Sequence, residues 1–411
     1  MKLSEDLVSR GFVHQFSSAT LEEITDGPSR TIFLGVDPTA DSIHAGNFAV
    51  YMLLRRLRAG GHSIILLIGG GTGMIGDPKP DVERPLTPPE VVAERTRKLV
   101  AQARRLLGED LAVVNNYDWL SKLDLIGFLR DIGKHFTVNN LMKKDAIAKR
   151  LESEEGITYT EFAYPLLQGY DFWHLFTERG CDVQVSGSDQ WGNITAGIEL
   201  IRRKEGKTAY ALTIPLITDA AGKKFGKSEG NAIWLDPQKT SVYAFYQFWL
   251  NQDDESVERY LKIFTDLSLE EIAGIMAAHA TTPGARTAQR ELARNATTIV
   301  HGHLEAERAE RVSQYLFGDG WDGDLDDDMK NMIATAAPTC PVSDGTDIID
   351  VLVASGLATS KREAREFLAG GAVTLNGQKV DESRVVGAND IATGLALLKR
   401  GKRNVCVLTR A

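Results

Sequence analysis

The sequence predicts an α/β fold: a parallel sheet covered on both faces by helices, then an α-helical stretch and a small α+β unit. Three observations carry this. Apolar runs at 31–35 and 62–68 alternate with helix-periodic segments, and strands that are apolar throughout belong to sheets covered on both sides. From 240 to 317 the hydrophobic period is helical. Beyond an aspartate-rich stretch the composition resets, and Asn376-Gly377 marks a hairpin turn.

The totals bound the function. The 411 residues exceed one ordinary core, so two or three domains are expected. With 43% hydrophobic and 25% charged residues the composition is that of a soluble globular chain. It contains no apolar run of about 18 residues, the length of a membrane span. The start, M-K-L-S-E-D-L-V, lacks the apolar segment of a secretory signal. Cys181, Cys340 and Cys406 are few and far apart, which points to a reducing, cytoplasmic setting without disulfides or a cysteine-based metal site. The net charge of −9 argues against a general nucleic-acid binder but hides an asymmetry. Residues 391–411 carry Lys399, Arg400, Lys402, Arg403 and Arg410 and no acid, a local surface for phosphates.

Residues 1–30 read as amphipathic helix leading into the first strand. That strand ends at Gly35, and Asp37-Pro38-Thr39 is a turn. The helix that follows holds Gly46 and Asn47 in its first turn, with His44 at its mouth. A helix start at the end of a strand presents free N–H groups and a favourable dipole to a phosphate. Gly60-Gly61 ends this helix, and 62–68 is a strand.

The next loop, beginning at Gly69, contains Gly71, Gly73 and Gly76 in G-x-G-x-x-G spacing. A dinucleotide site is rejected, because that motif opens a long helix whereas Pro78 and Pro80 interrupt this one. A close backbone approach to a ligand fits better, followed by Asp77 and a loop carrying Lys79 and Arg84. A helix at 90–107 and a strand at 111–114 lead to N-N-Y-D-W. Residues 124–152 are helical and charged.

Tyr164, Gln168 and Asp171 are spaced i, i+4, i+7 and share one face of an otherwise apolar helix. The strand 182–186 ends in G-S-D-Q-W-G-N, placing Gly187, Asp189 and Gln190 at a helix start. The strand 211–218 ends in a loop with Lys223, Lys224 and Lys227. This loop fits neither a nucleophile elbow, since no helix follows Gly230, nor a P-loop, since it is one residue short. Its lysines suit a polyphosphate without a fixed cradle. His301 and His303 lack companions for a metal site. Residues 318–345 read as a linker, and 346–411 as a separate domain of two short helices and a hairpin, with Lys361, Arg362 and Arg365 crowding the second helix.

These blocks together resemble the class I aminoacyl-tRNA synthetases, most nearly the bacterial tyrosyl type. H44-A-G-N47 is similar to that family's HIGH motif and K224-F-G-K-S228 to its KMSKS motif. D37-P-T-A-D, G73-M-I-G-D-P, N-N-Y-D-W, the Tyr164–Asp171 helix and G187-S-D-Q-W-G-N resemble further tyrosyl-type blocks. The segments S-K-R-E-A-R-E-F-L and V-T-L-N-G resemble an S4-type RNA-binding module.

The resemblance implies a Rossmann-like nucleotide-binding catalytic domain over 1–235, an α-helical anticodon-side domain over 236–317 and an S4-like domain over 346–411. It implies a tyrosine–tRNA ligase that forms tyrosyl-adenylate from L-tyrosine and ATP, with Mg2+ on the phosphates, and then charges tRNA-Tyr as a homodimer. Thr39, His44, Asn47, Arg84, Lys224 and Lys227, together with Lys79, would act on the phosphates. Asp37, Gly46, Gly187 and Asp189 would hold the nucleotide. Asp77, Tyr164 and Gln168 would bind the amino group, Asp171 the phenol, and Gln190 the reacting carboxylate. Lys361, Arg362, Arg365, Lys399, Arg400, Lys402 and Arg403 would face tRNA.

Two positions depart from the family. Asn47 replaces the last HIGH histidine and keeps a donor. Phe33 stands where the family usually has a tyrosine that shares recognition of the substrate hydroxyl, leaving Asp171 as its main reader. A non-catalytic RNA-binding relative and a small-molecule nucleotidyltransferase are the competing readings. The lysine loop with His44 and Asp189 opposes the first, and the C-terminal module opposes the second.

Overall fold

The computed structural model describes residues 1–77, 86–152, 156–218, 227–228, 231–318, 325–392 and 394–411. Its main sheet has six strands: β1 (Gln15–Phe16), β2 (Thr31–Val36), β3 (Ser63–Ile68), β4 (Ala112–Asn115), β5 (Cys181–Gly187) and β6 (Tyr210–Ile214). Their spatial order is β1-β6-β5-β2-β3-β4. All neighbours are parallel except the edge pair β1–β6. The predicted parallel α/β architecture is therefore present. The short antiparallel β1 lies in a segment that reads as helix, because two residues are too few to give an alternating pattern.

From β2 the chain moves to β3 and β4 on one side, and β5 and β6 lie on the other. The junction between β2 and β5 is a topological switch point, where open parallel sheets leave a crevice beyond the strands' carboxyl ends. Four helices frame it: α1 (Ala45–Ala59), α2 (Pro89–Leu107), α3 (Tyr159–Arg179) and α4 (Trp191–Glu205). Helix α1 is nearly all buried on its apolar positions, with Phe48 stacked on Phe264 at 5.6 Å between ring centroids. Helix α3 begins in a capping box, in which Thr158 accepts from Glu161 N and Glu161 accepts from Thr158 N, and ends at Gly180 with φ 63°.

The described chain divides into two compact units, Met1–Thr240 with Gln252–Ala288, and Ser241–Asn251 with Gln289–Ala411. The helical stretch, which the sequence suggests as one domain over 236–317, is thus shared between them. In the second unit Tyr243, Val312, Leu316, Met329, Ile333, Leu397 and Val407 form one core.

The linker expected over 318–345 is not one: Asp327–Ala336 is a helix and Thr339–Val342 a strand. Asp326 caps that helix by accepting from Met329 N at 2.7 Å, and Met329 and Ile333 are buried. Asp326, Asp327 and Asp328, read as linker composition, are a helix cap and first turn. The strand joins a five-stranded sheet whose hairpin turns at Asn376 (φ 49°) and Gly377 (φ 79°), as predicted.

Candidate active site

A cleft of the first unit opens at the β2–β5 switch point, with a volume of about 310 Å³. Its floor is the ends of β2 and β5, and its walls come from the loop after β2, the start of α1, and the inward face of α3. Asp37, Thr39, His44, Gly46, Asn47, Asp77, Tyr164, Gln168, Asp171, Gly187, Asp189 and Gln190 all line it. Twelve predicted side chains and glycines from five separate stretches of sequence therefore meet in one place.

One end of the cleft is acidic. Tyr164 donates its hydroxyl to Asp37 Oδ2 at 2.8 Å, and Thr72 donates to Asp37 Oδ1 at 2.7 Å. Asp77 accepts from Gln190 Nε2 at 2.9 Å and from Asn193 Nδ2 at 3.1 Å. Burial and then the nearby carboxylates of Asp37, Asp77 and Asp171 push the Tyr164 hydroxyl well above its ordinary range, so it stays a donor. Carboxylates converging on a shielded cleft attract a cation, and an ammonium fits that demand.

Asp171 is 2% exposed. Asn116 Nδ2 donates to its Oδ2 at 2.8 Å and Trp119 Nε1 to its Oδ1 at 2.7 Å. Burial pushes the carboxyl up to about 7 against those two hydrogen bonds, with Asp37 adding to the rise. Asn116 also donates to Thr72 Oγ1 at 2.9 Å and accepts from Gly71 N at 2.7 Å. A continuous chain of hydrogen bonds thus links Asp171 to Asp37 through Asn116 and Thr72.

Asn116, Trp119, Thr72 and Asn193 escaped the sequence reading. Asn116 and Trp119 stand in the N-N-Y-D-W block at the end of β4, where two polar residues between a strand and a helical turn were the available signal.

The other end presents donors and backbone. His44 caps α1, its Nδ1 accepting from Asn47 N at 3.2 Å. Around it the chain is stitched to a distant segment: Ala45 N donates to Ile233 O at 2.8 Å and Leu235 N to Ile43 O at 2.9 Å. The His44 and Trp234 rings face edge to face at 6.1 Å. Asp41, in the same loop as Thr39, accepts from Lys239 at 2.7 Å and from Lys98 at 3.2 Å. Those two lysines, Lys239 first, hold its carboxyl below the usual carboxylate range.

The glycine run after β3 reads as a close approach to ligand, but its tightest approaches are within the chain. A Cβ at Gly73 would lie 2.7 Å from Pro38 Cδ, and one at Gly69 would collide with the Asp37 carboxylate. Only Gly69 and Thr72 of this turn also border the cleft.

Phe33 corrects the reading of the substrate end. It does not line the cleft but is fully buried, its ring 5.1 Å from that of Phe172, in a core with Ile65, Leu67, Leu175 and Ile194. With no hydroxyl to satisfy, an apolar ring gains most from complete burial and edge contact.

Lys79, Arg84 and Lys224 lie outside the described residues, and of Lys227 only the backbone is described, paired with Ala232. Among the C-terminal candidates Lys361, Arg362, Arg365, Lys402 and Arg403 are exposed. Lys399 is half-buried and donates to Gly318 O at 3.0 Å. Arg400 is half-buried, stacked over Phe367 at 4.6 Å and 3.9 Å from Glu363. Among the described residues no group of three or more His, Cys, Asp or Glu is arranged to hold a metal, and no helix is long and apolar enough to cross a membrane.

Known proteins align with both parts of the chain. Residues 26–318 match the model for tRNA synthetases class I (W and Y), and residues 328–408 that for the tyrosine–tRNA ligase SYY-like C-terminal domain. The chain is 45% identical over 421 residues to a tyrosine–tRNA ligase of Streptococcus equi subsp. zooepidemicus, covering 100% of both. It is 45% identical over 422 residues to that of Lactococcus lactis subsp. lactis, again covering 100% of both. Among solved structures, a C-terminally truncated mitochondrial tyrosyl-tRNA synthetase of Aspergillus nidulans matches with a TM-score of 0.70 and 31% identity, over 77% of this chain and 94% of that one.

Proposed function

This chain belongs to the class I tRNA synthetases of the tryptophan and tyrosine type and, within them, to the tyrosine–tRNA ligases, and we propose that the cleft at the β2–β5 switch point is where it activates tyrosine with ATP. The observation that carries this assignment is one cleft lined both by Asp37, Asp77, Tyr164 and Asp171 and by Thr39, His44 and Asn47 around a helix mouth.

In the proposed arrangement the tyrosine ammonium sits among Asp77, Tyr164 and Gln168, and its phenol reaches Asp171. A carboxylate oxygen of tyrosine, near Gln190, attacks the ATP α-phosphorus. A new P–O bond forms as the bond to the β-phosphate oxygen breaks, and pyrophosphate leaves. The hydroxyl of the terminal ribose of tRNA then attacks the carbonyl carbon, and AMP departs. The protein's part is alignment and electrostatics.

Thr39, His44 and Asn47 stabilise charge growing on the departing phosphates, and the positive charges of Arg84, Lys224 and Lys227, with Lys79, neutralise it further. Gly46 and Gly187 leave room for the nucleotide, Asp189 takes the ribose hydroxyls, and Asp37 lies between the substrates. Mg2+ would travel with the triphosphate and neutralise its charge, since Thr39, His44 and Asn47 offer no carboxylate to hold an ion of their own.

The C-terminal unit, with Lys361, Arg362, Arg365, Lys402 and Arg403 exposed and Lys399 and Arg400 beside them, is proposed to take tRNA-Tyr, together with the helical segments of 236–317. A homodimer is supported by large apolar side chains left in solvent from the end of β4 to the start of α3, Leu125 at 69% and Ile126 at 71% exposed, with Val138, Met142 and Tyr159. Three buried thiols without disulfides support a cytoplasmic setting. Tyrosine-dependent exchange of pyrophosphate into ATP, followed by charging of total tRNA, tests the assignment. Absence of exchange returns the chain to the RNA-binding reading, and exchange without charging to the nucleotidyltransferase.

A further inference from the structure

Phe33 carries no hydroxyl and lies outside the cleft, so in the proposed arrangement the substrate phenol has Asp171 alone. On β5, Gln184 is the residue paired with Phe33 in the parallel register of β2 and β5. Paired residues of neighbouring strands point to the same face of a sheet. Here that face carries α3, since Phe33 packs against Phe172, the neighbour of Asp171. Unlike Phe33, Gln184 borders the cleft, together with Asp171. It is 2% exposed, and the end of its carboxamide that carries Oε1 has no hydrogen-bond partner. A buried amide with one end unpaired is unfavourable unless something arrives to pair it.

We infer that Gln184 is a specificity-determining residue, whose carboxamide supplies the second hydrogen bond to the substrate phenol. This rests on the assignment of the cleft to tyrosine. The phenol is both donor and acceptor. Its O–H goes to the Asp171 carboxylate, whose two oxygens already take Asn116 and Trp119 and keep lone pairs for a further donor. Its oxygen then needs a donor. The two ends of a carboxamide exchange by a half-turn of the terminal torsion, so the unpaired end of Gln184 can present N–H. Phenylalanine offers neither atom and leaves both groups unpaired. Recognition of the hydroxyl thus comes from α3 and β5 together, with β2 contributing packing alone.

The test uses the full chain and substitutes Gln184→Met, which keeps length and volume, with Gln184→Leu as a second variant should the first fold poorly. Pyrophosphate exchange is followed with tyrosine and with phenylalanine, and circular dichroism checks folding. The expected result is a two- to tenfold fall in kcat/KM for tyrosine, the range of roughly one neutral hydrogen bond, with phenylalanine unchanged and the KM for ATP unmoved. An equal fall for both amino acids makes Gln184 a packing residue and overturns the inference. So does an unchanged value for tyrosine. A wild-type chain without tyrosine-dependent exchange overturns the assignment of the cleft itself, which is a different result from either.

Discussion

Trp119 holds Asp171 by an indole N–H to Oδ1 at 2.7 Å while its own ring is stacked on His174, centroids 4.3 Å apart. The carboxylate that should read the substrate phenol is therefore fixed by a residue that is itself fixed by packing. Fixing the acceptor before substrate arrives reduces what must be ordered on binding.

Removing that donor should show in two ways. With Asp171 pushed up to about 7 by burial, kcat/KM for tyrosine should rise with pH through neutrality as the carboxylate forms. Trp119→Phe deletes an N–H that favours the ionised form, so the midpoint moves upward and kcat/KM falls on the order of tenfold. The stability sign is opposite. A carboxyl raised in the folded state binds protons the unfolded chain has released, so stability falls as pH rises from about 4 to about 7. Thermal melts of Asp171→Asn should lack that part of the decline.

His44 performs two tasks that separate experimentally. As the cap of α1, its loss should lower stability by about 1 kcal/mol, read as a shift in the denaturation midpoint. As a stabiliser of the departing phosphates, His44→Ala should lower kcat of pyrophosphate exchange by a factor on the order of 10². His44→Asn should restore most of the stability, because asparagine caps well, while recovering little of kcat.

Asp41 ties the loop of Thr39 to two lysines from different elements. Asp41→Asn should release that loop, lowering kcat by about three- to tenfold, the scale of one partly exposed ion pair, with the KM for tyrosine unmoved. Asp41→Glu should recover part of the loss. High salt should narrow the difference between wild type and the asparagine variant.

The exposed apolar side chains of Leu125, Ile126, Val138, Met142 and Tyr159 should lie at an interface between two copies. Leu125→Lys with Ile126→Lys places two charges on side chains 69% and 71% exposed, so the monomer's own core is untouched. Sedimentation equilibrium should show a dimer converted to monomer, with the thermal transition of the separated chains lowered.

Much of this arrangement is legible in the sequence because periodicity carries it. Tyr164, Gln168 and Asp171 are readable as one polar stripe on an apolar helix, and His44 and Asp189 as residues at helix starts. Asn116, Trp119 and Asn193 are not, since their importance lies in where an amide or indole points, which no spacing reports. Gln184 did leave a trace, a lone amide inside the apolar run V-Q-V. Phe33 shows the opposite limit. Alternation along β2 says which residues share a face but not how far along that face the cleft extends. At 326–336 composition misled, because aspartates that cap a helix look like those of a linker.

The stitching of Ile43 and Ala45 to Ile233 and Leu235 bears on how the chain is made. The His44 loop leaves the ribosome long before the segment that braces it. A growing or prematurely stopped chain ending ahead of Trp234 carries most of the cleft but lacks this brace. The first turn of α1 thus takes its final hydrogen bonds only once the chain has passed Leu235.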